Sequence, residues 1–455
     1  MRNYFLFFAL ILLGCTSNDD VGFGDPGTGL PPVAHVPEIT ELVLLPNTVP
    51  LMGGNGSVAV TAEISFRDGG SDLQTLWVRM PDGTTFIFDE PIFTETGAFS
   101  QNLTMSTLTD GVFMLEFWLV DQAGHSSSER TALFSVSDWT NQLSGLPYTL
   151  NDVIWDGTAF IAVGDGGAVL TSIDGIDWTE RESGADADLY AVAAHGSDIF
   201  AVGEYIVLQS TDHGDTWITK YEPVEVSLHA VVVNSSQVVA GGSMGFFGPS
   251  STGYFGPIIL VSEDRGDTWQ VIDSWPDSTI LFTDFVGRDG LFVAAASDWP
   301  FSDGGWVFVS SDGTQWNDVF RDPGSGFRTV VDDGSRFTIA GNYGAVIASI
   351  DGLNWTETRT PLLGPDYLSG AWNGTKLVLA GGHTCVPGGV YPGVCSVQWG
   401  ELPRGISSTD GGVTWDLFNI DGEFRSVGMA YGNGRFVSVG RSEPGSGESA
   451  IYTAD

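Results

Sequence analysis

Short apolar runs recur along residues 138–455, and glycine-rich turns separate them. Between Trp178 and Trp217, four such runs cover residues 189–195, 199–203, 206–212 and 216–220. Runs of this length, bounded by turn residues, predict β-strands. We name the four strands of one unit a, b, c and d in chain order. The pattern therefore predicts a four-stranded sheet as the repeating unit of this region.

One motif, Ser/Thr-x-Asp-(x)-Gly-x-Thr-Trp, recurs at the turn between strands c and d. Three copies are complete and three lack one residue, and the six begin at Ser172, Ser210, Ser262, Ser310, Ser349 and Ser408. Their tryptophans, together with Trp139, are separated by 39, 39, 52, 47, 39 and 60 residues. A basic period near 39 residues with insertions predicts the blades of a β-propeller.

A seventh copy of the motif is divided between the two ends of this region. The chain ends in Thr453, Ala454 and Asp455 with no tryptophan after them, whereas Trp139 opens the region with no aspartate turn before it. Because the two parts complement each other, we expect them to meet in space. The predicted fold class is all-β, with a seven-bladed β-propeller over residues 138–455 that is closed by pairing of its N- and C-terminal strands.

The motif has a structural explanation. An aspartate at a tight turn accepts hydrogen bonds from the backbone N–H groups that follow it, and glycine permits the positive φ that the turn needs. The tryptophan ring then packs between neighbouring sheets and contributes at most about 5 kcal/mol. We interpret seven aspartates as turn residues on the outer rim, far from any central pocket: Asp174, Asp212, Asp264, Asp312, Asp351, Asp410 and Asp455.

These motifs resemble the Asp-box or BNR repeats of sialidases, sortilin-like receptors, oligoxyloglucan-type glycosidases and photosystem II stability and assembly factors. Units such as residues 160–174 are most similar to the last group. The resemblance covers residues 138–455 and implies the propeller architecture. It implies no single activity, because the members of the family carry out unrelated functions.

The N-terminus resembles a bacterial lipoprotein signal. Arg2 precedes an apolar run over residues 4–13, and Leu12, Leu13 and Gly14 lead into Cys15. The resemblance implies cleavage after residue 14 and acylation of Cys15; the alternative is an ordinary secretory peptide that is cleaved elsewhere. An aspartate directly after the cysteine would signal retention in the inner membrane, and Thr16 stands there instead. For a Gram-negative source we therefore expect an exported outer-membrane lipoprotein, on the cell surface or the periplasmic side.

Two further units precede the repeats. Residues 15–37 are rich in Gly, Pro, Asp and Ser or Thr, and predict a flexible tether. Residues 38–137 contain strand-like runs at 58–66, 74–80 and 113–120, and residues 120–126 resemble the closing strands of bacterial Ig-like domains. We expect an Ig-like β-sandwich that acts as a spacer, in which three aspartates either cap turns or bind calcium: Asp68, Asp72 and Asp121.

The cysteines agree with export. Apart from Cys15, the chain has Cys385 and Cys395, which are close together inside one insertion. In an oxidising compartment we expect them to form a disulfide, worth roughly 2–3 kcal/mol. A metal site that includes the nearby His383 is the alternative.

Composition limits the partners. The chain has 17 Lys and Arg against 57 Asp and Glu, so its net charge is −40, and only Lys220 and Lys376 are lysines. Phosphate binding needs clusters of basic residues, which excludes nucleic acids and anionic membrane surfaces as partners. We expect membrane contact through the lipid anchor alone. No cofactor is assigned, and Ca²⁺ is the one candidate ion.

Binding residues are expected on the face that carries the b–c and d–a connections, opposite the aspartate turns. Four b–c loops are enlarged, at residues 242–257, 298–305, 383–403 and 442–449. Aromatic residues on such loops suit a sugar ring or a partner protein, or pack against their own loop. The candidates are Phe246, Phe247, Tyr254, Phe255, Trp299, Phe301, Trp306, Tyr391 and Trp399.

A second candidate set lies at the start of each innermost strand, where an apolar residue is followed by a variable one. These variable positions are Asn151, Tyr190, His229, Thr283, Arg328, Ser369 and Arg425. We expect them to surround the channel mouth with the residues that follow strand b, namely Asp165, Glu204, Asn342, His383 and Arg441. Arg328 and Arg425 either hold an anionic group or line the channel as hydrated side chains.

The functional prediction is a tethered binding or assembly protein that recognises a protein or glycan through this face. The alternative is a glycoside hydrolase, which needs two carboxylates about 5–10 Å apart. The sequence offers several carboxylates near the mouth but selects no pair: Asp165, Glu204, Asp298, Asp303 and Glu401. A resemblance to sialidases would require an arginine triad and a Tyr–Glu pair. The sequence offers two candidate arginines, Arg328 and Arg425, and no Arg-Ile-Pro segment, so no catalytic residue is assigned.

Overall fold

The computed structural model describes residues 36–45, 48–50, 57–81, 83–92, 94–106, 111–244, 256–273, 275, 279–298, 304–358, 360, 365–384, 404–420, 424–442 and 449–455. Cys15, the tether up to residue 35, Cys385 and Cys395 lie outside these ranges. Among the described residues, regular structure is β apart from two short 3₁₀ turns, Asp165–Gly167 and Asn342–Gly344. No helix in this part of the chain is both long and apolar enough to cross a membrane.

Residues from Glu38 to Ser137 form two sheets around one core. The strands are β1 (Glu38–Leu45), β2 (Thr48–Pro50), β3 (Ser57–Arg67), β4 (Leu73–Arg79), β5 (Thr85–Ile92), β6 (Thr96–Ser106), β7 (Gly111–Asp121) and β8 (Arg130–Ser137). One sheet has the order β1-β3-β6 and the other β2-β8-β7-β4-β5. Alternate residues face inward, so Val60, Ile64, Leu76, Phe117 and Phe134 are buried in one cluster. This unit therefore has a hydrophobic core of its own.

The aspartates flagged in this unit lie at turns. Asp68 accepts hydrogen bonds from the N–H groups of Gly70 (3.2 Å) and Asp72 (2.9 Å). Asp121 accepts one from the N–H of His125 at 2.8 Å and contacts its ring Nδ1 at 2.8 Å. Within the described ranges, no group of three His, Cys, Asp or Glu residues is close enough together to hold a metal ion.

The described residues from Thr140 onward form seven four-stranded antiparallel sheets. Sheets 1 to 3 contain β10 (Leu150–Trp155), β11 (Phe160–Gly164), β12 (Val169–Ser172), β13 (Thr179–Arg181); β14 (Leu189–His195), β15 (Asp198–Gly203), β16 (Ile206–Ser210), β17 (Ile218–Tyr221); β18 (Val226–Val233), β19 (Val238–Met244), β20 (Gly256–Ser262), β21 (Gln270–Ile272).

Sheets 4 to 6 continue the same a-b-c-d order. They contain β22 (Ile280–Arg288), β23 (Leu291–Asp298), β24 (Gly305–Ser310), β25 (Asn317–Asp322); β26 (Phe327–Asp332), β27 (Phe337–Gly341), β28 (Val346–Ser349), β29 (Thr356–Glu357); β30 (Pro365–Trp372), β31 (Leu377–Thr384), β32 (Gly405–Ser408), β33 (Asp416–Phe418). In each sheet only neighbouring strands pair, as expected for a meander joined by short turns.

Sheet 7 joins the two ends of the region. It has the order β34 (Phe424–Gly432), β35 (Arg435–Ser442), β36 (Ser449–Ala454) and β9 (Thr140–Leu146). The last strand pairs antiparallel with β9, in the arrangement that the divided motif predicts. Gln142 Nε2 also donates to Thr453 Oγ1 at 2.8 Å, and the Trp139 ring stacks on Phe418 of sheet 6 with centroids 6.0 Å apart.

The seven first strands contact one another in cyclic order. β10 contacts β14, β14 contacts β18, and the series continues through β22, β26 and β30 to β34, which contacts β10 again. The sheets therefore surround a central axis. The two-sheet unit packs on the outside of this ring, where β33 contacts β7 and β8, and Asn419 Nδ2 donates to Ser135 Oγ at 3.4 Å.

The aspartate turns of sheets 1 to 6 share one hydrogen-bonding scheme. The serine Oγ donates to the aspartate Oδ1 at 2.8–3.1 Å and accepts the N–H of the turn glycine at 2.7–3.0 Å. The aspartate Oδ1 accepts one or two N–H groups that follow, for example that of Thr268 at 2.8 Å from Asp264. The turn glycines have φ between 71° and 84°, where other residues are strained.

These hydrogen bonds favour the charged form of the aspartates. The Thr268 hydroxyl and N–H lower the pKa of Asp264 to about 2, and Thr414 does the same for Asp410, whose pKa is also about 2. Backbone and side-chain donors of Asn354 lower the pKa of Asp351 further. The turns thus stay fully formed above the ordinary pKa of an aspartate, and weaken only in strong acid.

Two of the motif tryptophans, Trp217 and Trp415, differ in the hydrogen bonding of their indole N–H groups. Trp217 Nε1 donates to the carbonyl of Gly214 at 3.0 Å, whereas the buried Nε1 of Trp415 has no hydrogen-bond partner in the described structure. Replacement by phenylalanine removes similar apolar area at both sites. We expect Trp217→Phe to cost about 1–2 kcal/mol more than Trp415→Phe, because only the second change removes an unsatisfied buried donor. Urea unfolding of the two variants measures this, and equal losses would contradict it.

Candidate functional site at the channel mouth

Every innermost strand contains a one-residue irregularity near its start. The strand register shifts there by one position in all seven sheets. The bulged residues are Asn151, Tyr190, His229, Thr283, Arg328, Leu368 and Val427. A bulge turns its side chain away from the regular alternation, and all seven line the central cavity.

Five of the bulged residues are among the variable positions that the sequence places around the channel mouth, and in sheets 6 and 7 the bulge lies at another residue. Leu368, and not Ser369, is the bulged residue of sheet 6, and Val427, and not Arg425, is that of sheet 7. Ser369 still lines the cavity, but it is buried, and its Oγ lies 2.6 Å from that of Ser426. Arg425 comes two residues before the bulge, although its charge still acts on Arg328.

In six of the seven sheets a glycine at the end of strand b lies opposite the irregularity, and in sheet 4 the residue is Ala296. A Cβ at Gly164, Gly203 or Gly341 would lie 1.9–2.1 Å from the carbonyl oxygen of the residue before strand a. Glycine alone allows this approach. The residue after the glycine then donates its N–H to that carbonyl, at 2.8 Å from Asp165 and 2.9 Å from Asn342.

The residues after these glycine positions form a second ring above the bulged ones. In register they are Asp165, Glu204, Ser243, Ser297, Asn342, Gly382 and Arg441. His383, which the sequence placed here, is one position too late. The rings connect within a sheet: Asn151 Nδ2 donates to Asp165 Oδ1 at 2.8 Å, and Arg328 Nε donates to Asn342 Oδ1 at 3.1 Å.

Sheets 1 to 3 make one side of the mouth acidic and aromatic. The rings of Tyr190 and His229 stack with centroids 4.8 Å apart and planes 12° apart. Burial, together with the charges of Asp188, Glu204 and Asp165, raises the pKa of Tyr190 to about 12. Burial also lowers the pKa of His229 to about 4, so its ring is neutral near pH 7.

Sheets 5 to 7 make the opposite side basic. Arg328, Arg425 and Arg441 lie here and are half-buried. Burial lowers the pKa of Arg328, the positive charge of Arg425 acts in the same direction, and Asp366 opposes both. The mouth is therefore divided by charge into two sides. We call Asp165, Asp188, Glu204, Tyr190, Tyr205 and His229 the acidic sector.

Two tyrosines at the mouth were missed from the sequence. Tyr205 and Tyr343 occupy the short b–c turns of sheets 2 and 5 with φ of 61° and 58°, a region that disfavours side chains. Gly166 has φ 63° at the matching place in sheet 1. The sequence could have indicated them, because a tyrosine occupies a turn position that favours glycine, and backbone strain of this kind concentrates at functional sites.

The aromatic loop candidates are only partly described. Phe246, Phe247, Tyr254, Phe255, Trp299, Phe301, Tyr391 and Trp399 lie outside the described residues. Trp306 is described, and it lies on a strand and not on a loop. It belongs to β24 and is 7% exposed; its Nε1 donates to Asp298 Oδ1 at 2.7 Å, and the Arg321 guanidinium lies 3.7 Å from its ring centroid.

Below the mouth lies a cavity of about 450 Å³. Its wall consists of the seven first strands. Besides Asp332, which pairs with Arg288 at 2.6 Å, two carboxylates line it, those of Asp152 on β10 and Asp284 on β22. Each carboxylate links neighbouring sheets. Asp152 Oδ2 accepts the N–H of Val192 at 2.9 Å, and Asp284 Oδ2 accepts that of Val330 at 2.8 Å.

Deep burial within the ring opposes ionisation of both groups. Burial and the charge of Asp284 together raise the pKa of Asp152 to about 7, and burial raises the pKa of Asp284 to about 6. In each carboxylate the other oxygen accepts the N–H of the next residue, from Val153 at 2.8 Å and from Phe285 at 2.8 Å. Since all four oxygens hold the backbone, these groups join sheets together.

The ring of four-stranded sheets around an axial cavity defines the protein as a β-propeller. No protein-family model matches the chain, and no curated protein matches it significantly. Among solved structures, it is similar to "YCF48 bound to D1 peptide", at 18% identity, TM-score 0.49, 70% of this chain and 96% of that one. It is also similar to the WD40 β-propeller domain of Doa1, at 9% identity and TM-score 0.45, over 69% of this chain and 96% of that one. An ancestral GH74 enzyme is similar at 16% identity and TM-score 0.35, over 67% of this chain and 36% of that one. These likenesses concern the fold alone.

The two cavity aspartates predict a pH-dependent stability. Because their folded-state pKa values exceed the ordinary value of an aspartate, the folded chain retains protons that the unfolded chain has lost between about pH 4 and 7. Stability from these groups therefore falls as pH rises through this window. Relative to Asp152→Asn, the wild type should lose about 1–3 kcal/mol between pH 4 and pH 8. Denaturant titrations at several pH values measure the gap.

Thr283→Val is the control, because it changes a cavity side chain that does not titrate. Its gap to the wild type should be constant with pH. Asp284→Asn should show the same trend as Asp152→Asn with smaller amplitude. A gap for Asp152→Asn that widens in favour of the wild type toward pH 8 would contradict the assignment.

Proposed function

We propose that this chain is a binding protein whose propeller recognises a protein partner at the channel mouth. The observation that carries the proposal is the division of the mouth into an acidic, aromatic side and a basic side, directly above a cavity large enough for a side chain. Convergent charged and aromatic groups around a concave opening suit recognition of a peptide segment.

The strained tyrosines support this location. Tyr205 and Tyr343 hold a left-handed backbone conformation that a glycine would adopt without cost. Strain of this kind persists where the side chain serves a purpose. Both rings belong to b–c turns, the connections on the face that the sequence assigns to binding.

We further propose the finer architecture and placement. The cyclic contacts of seven sheets support a seven-bladed propeller, and the two-layered packing of β1 to β8 supports an Ig-like spacer before it. The lipobox supports acylation of Cys15 and attachment to the outer membrane, and the spacing of Cys385 and Cys395 supports a disulfide. The spacer and tether would then present the mouth away from the membrane.

We favour binding over glycoside hydrolysis. A hydrolase needs a free acid and a free nucleophile or base. The two cavity aspartates with raised pKa values use their oxygens to hold backbone N–H groups, Asp165 accepts from Asn151, and Asp298 accepts from Trp306. Asp303 and Glu401 lie outside the described residues.

Peptide selection against the full chain in mild detergent tests the proposal. Random displayed peptides should yield binders whose affinity falls about 10-fold or more in Tyr205→Gly and Tyr343→Gly, since each change removes a ring at the mouth and relieves backbone strain, leaving the fold intact. Anisotropy titrations with synthetic copies of the selected peptides measure the loss.

Ile350→Ala is the matched control, because Ile350 is 73% exposed on an aspartate turn at the opposite face. Its affinity should equal that of the wild type. Binding that depends on Ile350 and ignores both tyrosines would overturn the assignment of the mouth. Selective binding on a glycan array, with no peptide selected, would replace the protein partner by a carbohydrate.

A further inference from the structure

The acidic sector concentrates negative charge that no cation of the described chain balances. Asp165 accepts from the Asn151 amide, and Asp188 Oδ1 accepts the N–H of Gly166 at 2.8 Å. Glu204 bonds with Tyr205 and raises the pKa of its hydroxyl, together with burial. These donors are neutral. Within the described residues, none of the three carboxylates takes part in an ion pair.

The arrangement contrasts with the rest of the propeller, where cations accompany acids on the outer rim. Arg181 pairs with Asp215 at 2.8 Å, Arg435 with Asp455 at 3.2 Å, and Lys220 with Asp267. The chain has only 17 basic residues, and none of them forms an ion pair with the acidic sector within the described residues. The sector is thus a site of negative potential beside an open cavity, where field lines concentrate.

The aromatic rings restrict what can neutralise this charge. Tyr190 and His229 form a flat stacked pair that lines the cavity, and both rings are neutral near pH 7. A flat ring face surrounded by carboxylates favours a planar cation, which stacks on the ring and donates N–H groups sideways. A calcium ion needs six or more converging oxygens, and no metal-holding group exists among the described residues.

We infer that the acidic sector binds the guanidinium group of an arginine side chain carried by the partner, stacked on the Tyr190–His229 pair and hydrogen-bonded to Asp188 and Glu204. This inference rests on the proposed function, because it names the partner chemistry that the mouth selects. The cavity of about 450 Å³ below gives the side chain room to enter. The net charge of −40 attracts a cationic segment from a distance.

The test uses peptides selected against the full chain in mild detergent. The selected sequences should be enriched in arginine. In each synthetic binder, replacement of the arginine by citrulline keeps the shape and removes the charge, and should weaken binding to the wild type by about 10-fold or more. Replacement by lysine should weaken it less. Chelation of divalent ions should leave all affinities unchanged.

Asp188→Asn combined with Glu204→Gln completes a double-mutant cycle. In this variant, citrulline and arginine peptides should bind with similar affinity, because the carboxylates that distinguish them are gone. Glu357→Gln combined with Asp416→Asn is the control: it makes the same charge change at two exposed positions on the outer strands of sheets 5 and 6. It should retain the full preference for arginine.

The outcomes separate the inference from the proposed function. If Tyr205→Gly abolishes binding while citrulline has no effect, the mouth binds peptides but the arginine inference is wrong. If the peptides ignore every mouth variant, the proposed function itself fails. A preference for arginine that persists in the double variant, or that requires calcium, would also overturn the inference.

Discussion

The ring depends on the docking of each aspartate turn against the a–b hairpin of the preceding sheet. His213 Nδ1 lies 2.6 Å from Asp156 Oδ2, and Gln237 Nε2 donates to the carbonyl of Asp312 at 3.0 Å. Asn433 Nδ2 donates to the carbonyl of Ile173 at 3.1 Å, which joins sheet 7 to sheet 1. Since the innermost strands contact mainly their neighbours in the cycle, no interface is dispensable, and the pairing of β36 with β9 completes the last one.

This requirement explains how the charges are distributed. Rigid aspartate turns place carboxylates around the outer rim, and arginines and lysines lie beside several of them, as in the pairs of Arg181 with Asp215 and Arg435 with Asp455. Other acids near the axis must be stabilised differently. Asp152 and Asp284 accept backbone N–H groups and have raised pKa values, whereas the acidic sector faces the open mouth. Basic side chains therefore neutralise carboxylates of the outer rim, whereas the carboxylates of the acidic sector remain without an ion pair within the described residues.

The sequence was sufficient for the sheets but not for the register at the mouth. The motif at Asp212 and its copies marks each c–d turn, because the hydrogen bonds that define the turn are local. The bulge depends instead on a contact between strands, where a strand-b glycine meets a carbonyl before strand a. In sheets 6 and 7 the pattern of apolar residues pointed to Ser369 and Arg425, whereas the bulges lie at Leu368 and Val427. The reason is that Tyr367 and Ser426 stand where earlier sheets have Leu or Phe. The same limitation applies to Trp306, whose burial depends on Asp298 and Arg321.

The bulge also connects the scaffold to recognition. A regular strand would alternate its side chains between the two faces of a sheet, so that few residues could point along the channel. The extra residue breaks this alternation at the same level in all seven sheets, and in six of them a strand-b glycine lies opposite it. The hydrogen bonds that hold each bulge use backbone groups alone, as between Asp165 N–H and the Thr149 carbonyl. The side chains of the ring are consequently free to differ from sheet to sheet, which is why one symmetric frame can present an acidic sector opposite a basic one.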